Sequence, residues 1–471
     1  MRGSRRRPWE RVIRVPTARP ERIRVERHVT PRAPARAPFL LAAGFLIIIA
    51  IGTVLLMLPI ANSQGVITPP ITALFTATSA VCVTGLVVVD TANYWSPLGH
   101  VIILLLIQVG GLGFMTSSTL LLLLLGHRVG LRERILLRET FGETPLGGLL
   151  RLTLQVALMT AVFETAGALI LFLRFLFLFP PEQALWMGVF HSISAFNNAG
   201  FDLFGQFRSL TGFNGDPVVL LTIAFLVIIG GISFTVVLDL YQERRFRSLL
   251  LDTKMVLAAT AILLPVGAFG ILAVEWNNPN TLGPMAIPYK FLNGFFQGVT
   301  PRSSGFSSIE VGEMTQQGLF LTIVLMYIGG AAGSPAGGIK VNTFAVLTAA
   351  IFSSMRGRLA ATAFGRELPQ DHVYRALTVA LLALGLVVIV TFALAIVEES
   401  RFLQLLFEAT SAVGIAGLSM GITPGLSVAG KLLIIVTMFV GRVGPLTVAL
   451  ALAQRDQPAR YRYPEGRVKI G

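Results

Sequence analysis

Four copies of one short phrase constrain this chain more than any other feature. It reads LFTATSAVCVTGL at 74–86, VFHSISAFNNAGF at 189–201, FFQGVTPRSSGF at 295–306 and LFEATSAVGIAGL at 406–418. In each copy a Phe stands ten residues before a Gly: Phe75 and Gly85, Phe190 and Gly200, Phe295 and Gly305, Phe407 and Gly417. The glycines lie 115, 105 and 112 residues apart, so one unit of about that size recurs and the fold must be built from it. A second mark follows in every unit: GGLGF from Gly110, GGISF from Gly230, GGAAG from Gly329 and GRVGP from Gly441, at 25, 30, 24 and 24 residues after the first glycine.

The phrases are apolar enough for a membrane but too short to cross one. A helix from Pro70 to Val81 has 12 residues and spans about 18 Å, against a hydrocarbon core of roughly 30 Å. Longer apolar segments lie near 39–60, 98–125, 152–179, 217–240, 255–275, 318–352, 376–397 and 428–452, which makes eight. With 54% hydrophobic and 13% charged residues, the chain has the composition of a polytopic membrane protein. Lys and Arg concentrate in alternate connections: 126–151 carries HRVGLRERILLRETFGE, 241–254 carries YQERRFRSLLLDTK, and 353–375 carries Arg356, Arg358, Arg366 and Arg375. The positive-inside rule therefore places both termini in the cytoplasm. Much of the net charge of +14 sits in residues 1–37, where twelve Arg face three Glu; this arm is expected to be disordered and to act as a topology signal rather than to bind nucleic acid. The single cysteine, Cys82, rules out a disulfide within the chain and is expected to be a small packed residue.

Each short phrase falls in an outward connection, which predicts a re-entrant hairpin. Non-helical backbone at membrane depth is tolerated only where protein or a water-filled cavity surrounds it. The expected fold is an all-α membrane protein of four tandem units, each a span, a re-entrant pore helix and a span, arranged around a pseudo-fourfold central pore. The expected segments are a basic arm at 1–37, unit one at 38–126, a cytoplasmic loop with unit two at 127–241, and unit three at 242–352 with a gating loop at 329–340. A cytoplasmic loop with unit four at 353–453 and a cytoplasmic tail at 454–471 complete the chain. An ion leaving water needs oxygens in place of its hydration shell, rings of backbone carbonyls supply them, and glycine lets the backbone turn without an obstructing side chain. A lone Gly more often marks close helix packing. Four in register after half-length helices favour a pore.

With Gly85, Gly200, Gly305 and Gly417 in place, the chain resembles the Trk/Ktr/HKT superfamily of potassium and sodium translocating proteins over roughly residues 39–471. TATSAVCVTGLVVVDT and the YPEGRVKIG tail are particularly like the membrane subunits of Ktr-type uptake systems. TrkH-type relatives carry an additional helix pair before the first repeat, whereas here one span precedes Gly85. The resemblance implies that potassium binds carbonyls just before each glycine: Val83 and Thr84, Asn198 and Ala199, Ser303 and Ser304, Ile415 and Ala416. Sodium-favouring relatives replace the first filter glycine by serine, so Gly85 implies potassium selectivity. Repeat three departs most, with Pro301 and Arg302 where the others are apolar and Val299 where Ser79, Ser194 and Ser411 stand in the others. The resemblance also implies a homodimer, a cytoplasmic ring of RCK-type regulatory subunits that bind ATP or ADP, sodium dependence, and no cofactor in the chain itself beyond the transported potassium and sodium.

YIGGAAGSPAGGIK, from Tyr327 to Lys340, interrupts the sixth long segment. Between 329 and 340 stand Gly329, Gly330, Gly333, Gly337 and Gly338 with Ser334 and Pro335. An interior Gly costs about 1 kcal/mol and Pro about 3 kcal/mol relative to Ala, so the helix is expected to break there. The spacing matches neither GxGxxG nor a Walker loop. In the family this loop lies beneath the filter and obstructs permeation. Arg442 occupies the place of Gly111, Gly231 and Gly330 in the other units; a charge there sets a barrier to cations, and its alternatives are pairing with Glu164 or with loop carbonyls. Glu164 is either a proton-relay acid or an interhelical hydrogen-bonding group. Lys340 is expected to snorkel to the cytoplasmic interface, and His191 to be a packing residue rather than a metal ligand. An intramembrane hydrolase would need an acid partner for the His191 and Ser194 pair, and none is evident. A carrier with inverted repeats is the stronger rival, but these units keep one orientation. Arg442→Ala is expected to raise cation flux, read as uptake in a transport-deficient cell; unchanged uptake would count against the barrier.

Overall fold

The computed structural model describes residues 37–113, 149–358 and 360–444. The basic arm, the arginine-rich loop at 126–148, the C-terminal tail, and the distal parts of the second and eighth long segments lie outside the described residues. Helices follow one another in a recurring order. A long helix comes first in each group: α1 (Ala37–Met57), α5 (Leu149–Phe175), α9 (Leu251–Glu275) and α13 (Gln370–Val397). A shorter helix follows: α2 (Pro70–Cys82), α6 (Pro181–Phe196), α10 (Ile287–Val299) and α14 (Phe402–Gly414). The group closes with α4 (Pro97–Leu112), α7 (Pro217–Ile232), α11 (Gln316–Tyr327) or α15 (Val428–Val443). Between α2 and α4 lies one further turn, α3 (Thr91–Tyr94). At 25 to 28 residues, α5, α9 and α13 are each long and apolar enough to cross a bilayer alone.

Local chemistry sets these boundaries. Proline in the first turn starts α2, α6 and α10, where its missing N–H leaves no bond unmade. The third helix of every group is capped by a short polar side chain: Ser96 accepts from Gly99 N–H at 3.2 Å, Asp216 from Val219 at 3.2 Å, Thr315 from Gly318 at 3.1 Å and Ser427 from Gly430 at 3.1 Å. The C-terminal end of the preceding long helix grips two of those caps. Glu275 accepts from the Thr315 amide and hydroxyl at 2.8 and 2.7 Å, and Glu398 from those of Ser427 at 2.9 and 2.7 Å.

Packing between groups closes a ring. α4 lies on α6, α7 on α10, α11 on α14, and α15 returns to α2. In three of the groups the second glycine mark is the point where the closing helix crosses its own short helix. A Cβ at Gly110 would lie 2.1 Å from the Val81 carbonyl oxygen, at Gly230 1.9 Å from that of Phe196, and at Gly441 2.6 Å from that of Val413. All three carbonyls belong to the residue four before the first glycine of the group. In the third group Gly329 meets the carbonyl of Gly337 instead, so the interrupted segment occupies that place.

Two features differ from expectation. The segment 217–240 is not one straight span: α7 ends at Ser233 (φ +95°, ψ 136°), and α8 (Phe234–Gln242) leaves at 91°. Gly113 (φ +80°) and Gly444 (φ +95°) turn the chain at the same offset in the first and fourth groups. Ser233 hides this turn inside an apolar run, and its buried hydroxyl is held by Thr235 Oγ1 at 3.0 Å. The connection after α12 (Val341–Met355) also contains a small antiparallel hairpin, β1 (Thr362–Ala363) with β2 (Arg366–Glu367), that hydrophobic patterning does not predict. The expected interruption of the sixth segment is present between Tyr327 and Val341. Because Gly230 sits against a backbone carbonyl that has no rotamer to yield, Gly230→Ala is expected to cost about 1–3 kcal/mol and to lower the thermal midpoint of the purified protein, whereas Gly212→Ala, facing open space, leaves it near the parent's.

Candidate functional site

The four short helices end in the same turn. Val83, Asn198, Ser303 and Ile415, each two residues before a phrase glycine, have φ of 59°, 58°, 71° and 50°. Gly85, Gly200, Gly305 and Gly417 follow at 92°, 70°, 72° and 78°. Left-handed backbone costs an L-residue about 1–2 kcal/mol, and β-branched Val83 and Ile415 are unusual there, so the surroundings must enforce it. The enforcing bonds run back into each helix. Thr84 N–H donates to Ser79 O at 2.8 Å, Ala199 to Ser194 O at 2.7 Å, and Ala416 to Ser411 O at 2.8 Å. In the third copy the turn is one residue tighter, Ser304 N–H bonding Thr300 O at 3.1 Å and its hydroxyl the same oxygen at 3.1 Å. Serine side chains add support: Ser79 Oγ accepts from Gly85 N–H at 3.1 Å and Ser194 Oγ donates to Phe201 O at 2.8 Å.

The turns meet. A Cβ at Gly85 would lie 2.5 Å from Ala199 O, at Gly200 2.6 Å from Ser304 O, at Gly305 3.5 Å from Ala416 O, and at Gly417 2.0 Å from Thr84 O. Every glycine thus faces the carbonyl that precedes the glycine of the next group, and the fourth faces the first. The negative ends of four helix dipoles approach one place. All four glycines line one cavity of about 410 Å³, whose wall also carries Asp202, Glu310, Glu313 and Arg208. Burial of the Asp202 carboxyl pushes its pKa up to about 6; the nearby Asp90 charge adds to the rise, and the Phe204 N–H at 3.0 Å opposes it.

Behind the turns stand buried polar side chains that hold the outgoing strands. His191 Nδ1 donates to Met187 O at 2.7 Å while Nε2 accepts from Leu203 N–H at 3.2 Å, which fixes a neutral ring. Its ring stacks on Phe204 at 4.3 Å, so it is a packing and positioning group. Gln297 Nε2 donates to Ser307 Oγ at 3.2 Å, and Glu408 accepts from Ser419 Oγ at 2.9 Å and from Thr423 Oγ1. Sequence reasoning missed Gln297 and Glu408 in this role. The available signal was position, since His191 and Glu408 each directly follow the phrase Phe.

The interrupted segment packs against the third and fourth turns. Gly329 N–H bonds Ile339 O at 3.0 Å, Val341 N–H bonds Gly330 O at 2.9 Å, and Ala331 N–H bonds Gly231 O at 2.9 Å in the preceding group. Gly333 and Gly338 take positive φ, and Ser334 Oγ closes its turn on Ala331 O at 2.7 Å. A Cβ at Gly337 would strike Ile415 at 2.4 Å. The Arg442 guanidinium donates to Pro335 O in this segment and to Gly110 O. Glu164 is engaged elsewhere, accepting from Asn197 Nδ2 at 2.9 Å and Gln108 Nε2 at 3.3 Å. Carbonyls, rather than Glu164, thus partner the arginine. The expected outward reach of Lys340 gives way to a bond within the loop: its Nζ turns back and donates to Ala336 O, a carbonyl of its own segment that lies within reach.

A family model described as TrkH, cation transport protein, matches residues 21–462. The chain is 42% identical over 434 residues to the Ktr system potassium uptake protein B of Bacillus subtilis, covering 92% of this chain and 96% of that one. It is 38% identical over 439 residues to the potassium/sodium uptake protein NtpJ of Enterococcus hirae, covering 92% and 96%. The crystal structure of the potassium transporter TrkH from Vibrio parahaemolyticus has the same fold, with a TM-score of 0.69 at 19% identity over 93% of this chain and 88% of that one.

Proposed function

The chain belongs to the TrkH family of cation transport proteins, and from that premise we propose that it carries potassium into the cell across the cytoplasmic membrane by a channel-like route. Four repeats and eight spans surround the pathway. Potassium is selected by backbone carbonyls of the four turns at Val83–Gly85, Asn198–Gly200, Ser303–Gly305 and Ile415–Gly417. The observation that carries this reading is the closed cycle in which each phrase glycine faces the carbonyl before the next. Such a ring replaces a hydration shell with fixed dipoles and needs no acidic side chain.

The segment 329–340 and Arg442 serve as the gate. The Pro335 carbonyl of the loop and the Gly110 carbonyl of α4 solvate the guanidinium and at the same time draw it across the route, so pairing and obstruction go together. The cavity outside the ring is the outer mouth, where Asp202 raises the local cation concentration. The relative named as protein B of a Ktr system supports a complex of several components; in this reading the others form a nucleotide-binding RCK-type ring on the cytoplasmic side and the membrane subunit is a homodimer. A second reading, a sodium-selective or sodium-coupled transporter, is favoured by the relative named for both potassium and sodium.

Potassium uptake by the purified chain in vesicles, with and without sodium, separates the two readings, since a strictly sodium-coupled carrier moves no potassium when sodium is absent. Gly85→Ser is expected to lower the potassium-to-sodium preference, and an unchanged preference would remove the filter assignment. Protonation of Asp202 takes a negative charge from the mouth. Uptake from dilute potassium is therefore expected to fall about twofold as external pH drops through about 6, the size of one screened charge in water, and Asp202→Asn flattens that dependence.

A further inference from the structure

Ser303 does more than lend a carbonyl to the third turn. Its buried hydroxyl donates to Gly414 O, the last residue of α14, at 3.0 Å, and accepts the N–H of Gly337 in the interrupted segment at 3.2 Å. One oxygen atom thus joins three elements: the third turn, the end of the fourth short helix, and the loop. The same junction is sealed by contact. Gly337 lies directly against Ile415, the left-handed residue of the fourth turn, and a Cβ at Gly338 would come within 3.3 Å of the Gly414 Cα. A Cβ at Gly329 would be 3.3 Å from Ser303 Oγ, so both strands of the loop approach this hydroxyl.

We infer that Ser303 is a positioning residue that couples the gate loop to the filter; the inference rests on the filter and gate reading above. While the loop is in place, the Gly337 N–H orients the hydroxyl so that its proton points at Gly414 O, and the third and fourth turns hold each other. When the loop withdraws, that donor leaves, the hydroxyl is free to rotate, and the strained turns at Ser303 and Ile415 lose a shared support. Opening the route and relaxing its selectivity are then one event. A serine or threonine is required here for hydrogen-bond reasons, whereas the left-handed conformation alone tolerates apolar Val83 and Ile415 in the equivalent places.

The test uses the full chain in proteoliposomes, reading potassium flux, the potassium-to-sodium preference and the thermal midpoint. Ser303→Ala keeps the carbonyl and removes only the link. It is expected to raise unstimulated flux about fivefold, the equivalent of one hydrogen bond of about 1 kcal/mol, and to lower the ion preference in parallel. Ser303→Thr restores both, the turn being one that already accepts β-branched residues. Gly337→Ala displaces the loop from Ile415, so adding Ser303→Ala to it changes little further. Additive effects in that double variant, or a Ser303→Ala protein with unchanged flux and preference, overturn the coupling. If Ser303→Ala does not purify as a folded protein, Ser303→Cys, a weak donor, carries the same comparison. Gly85→Ser, measured alongside, keeps the two readings apart: if it shifts the preference while Ser303→Ala does nothing, the filter stands and the coupling falls.

Discussion

A polypeptide that turns back in the middle of a bilayer must satisfy its own peptide groups, because no water is there to do so. Four turns at the ends of the short helices meet in this structure, and on the proposed reading they lie at such a depth. Each leaves its helix in a left-handed conformation that Val83 and Ile415 resist, and each is held by an amide bonded five residues back, or four in the third group, where Thr300 takes over from Val299. Serine hydroxyls then reach the glycine or the residue after it. Further out, His191, Gln297 and Glu408 fasten the strands that carry the chain away. The cost of an unsatisfied peptide group in an apolar medium, several kcal/mol, explains why this support is so dense.

The same geometry sets the electrostatics. Four helix ends converge with their negative poles, and carbonyls rather than carboxylates surround the meeting point. On the proposed reading a cation is stabilised there by dipoles too weak singly to trap it, which suits an ion that must leave again. The opposing charge, Arg442, is itself balanced by carbonyls of Pro335 and Gly110. With no carboxylate in that pair, the positive charge is solvated by dipoles rather than cancelled by an opposite charge. Glu164 is absorbed in a separate amide cluster with Gln108 and Asn197, at the crossing of the first and second groups.

Much of this was legible in the residues. The phrase at 74–86 predicts a helix over 70–81, and α2 runs from Pro70 to Cys82. Clustered Gly and Pro predict the interruption after Tyr327, where the chain does leave the helix. The second glycine mark proved to be a crossing point, because only a residue without Cβ lets a helix pass over the Val81 or Phe196 carbonyl. Less legible was Ser233, whose turn lies in an unbroken apolar run and is imposed by packing rather than by local preference. Lys340 was also opaque: a lysine at a helix start usually reaches for water, but here the loop bends its own carbonyl into the path.

Repetition, apolar length and the placing of glycine follow from the sequence alone, since period and hydropathy act locally and survive in any arrangement that buries them. Which carbonyl each glycine faces, and which hydroxyl ties Gly337 to Gly414, are matters of tertiary structure. The two bonds of that hydroxyl alone join residues 34 and 111 positions apart. Hydrogen bonds at that separation depend on how four groups close into a ring, and no local pattern encodes the angle at which they do so.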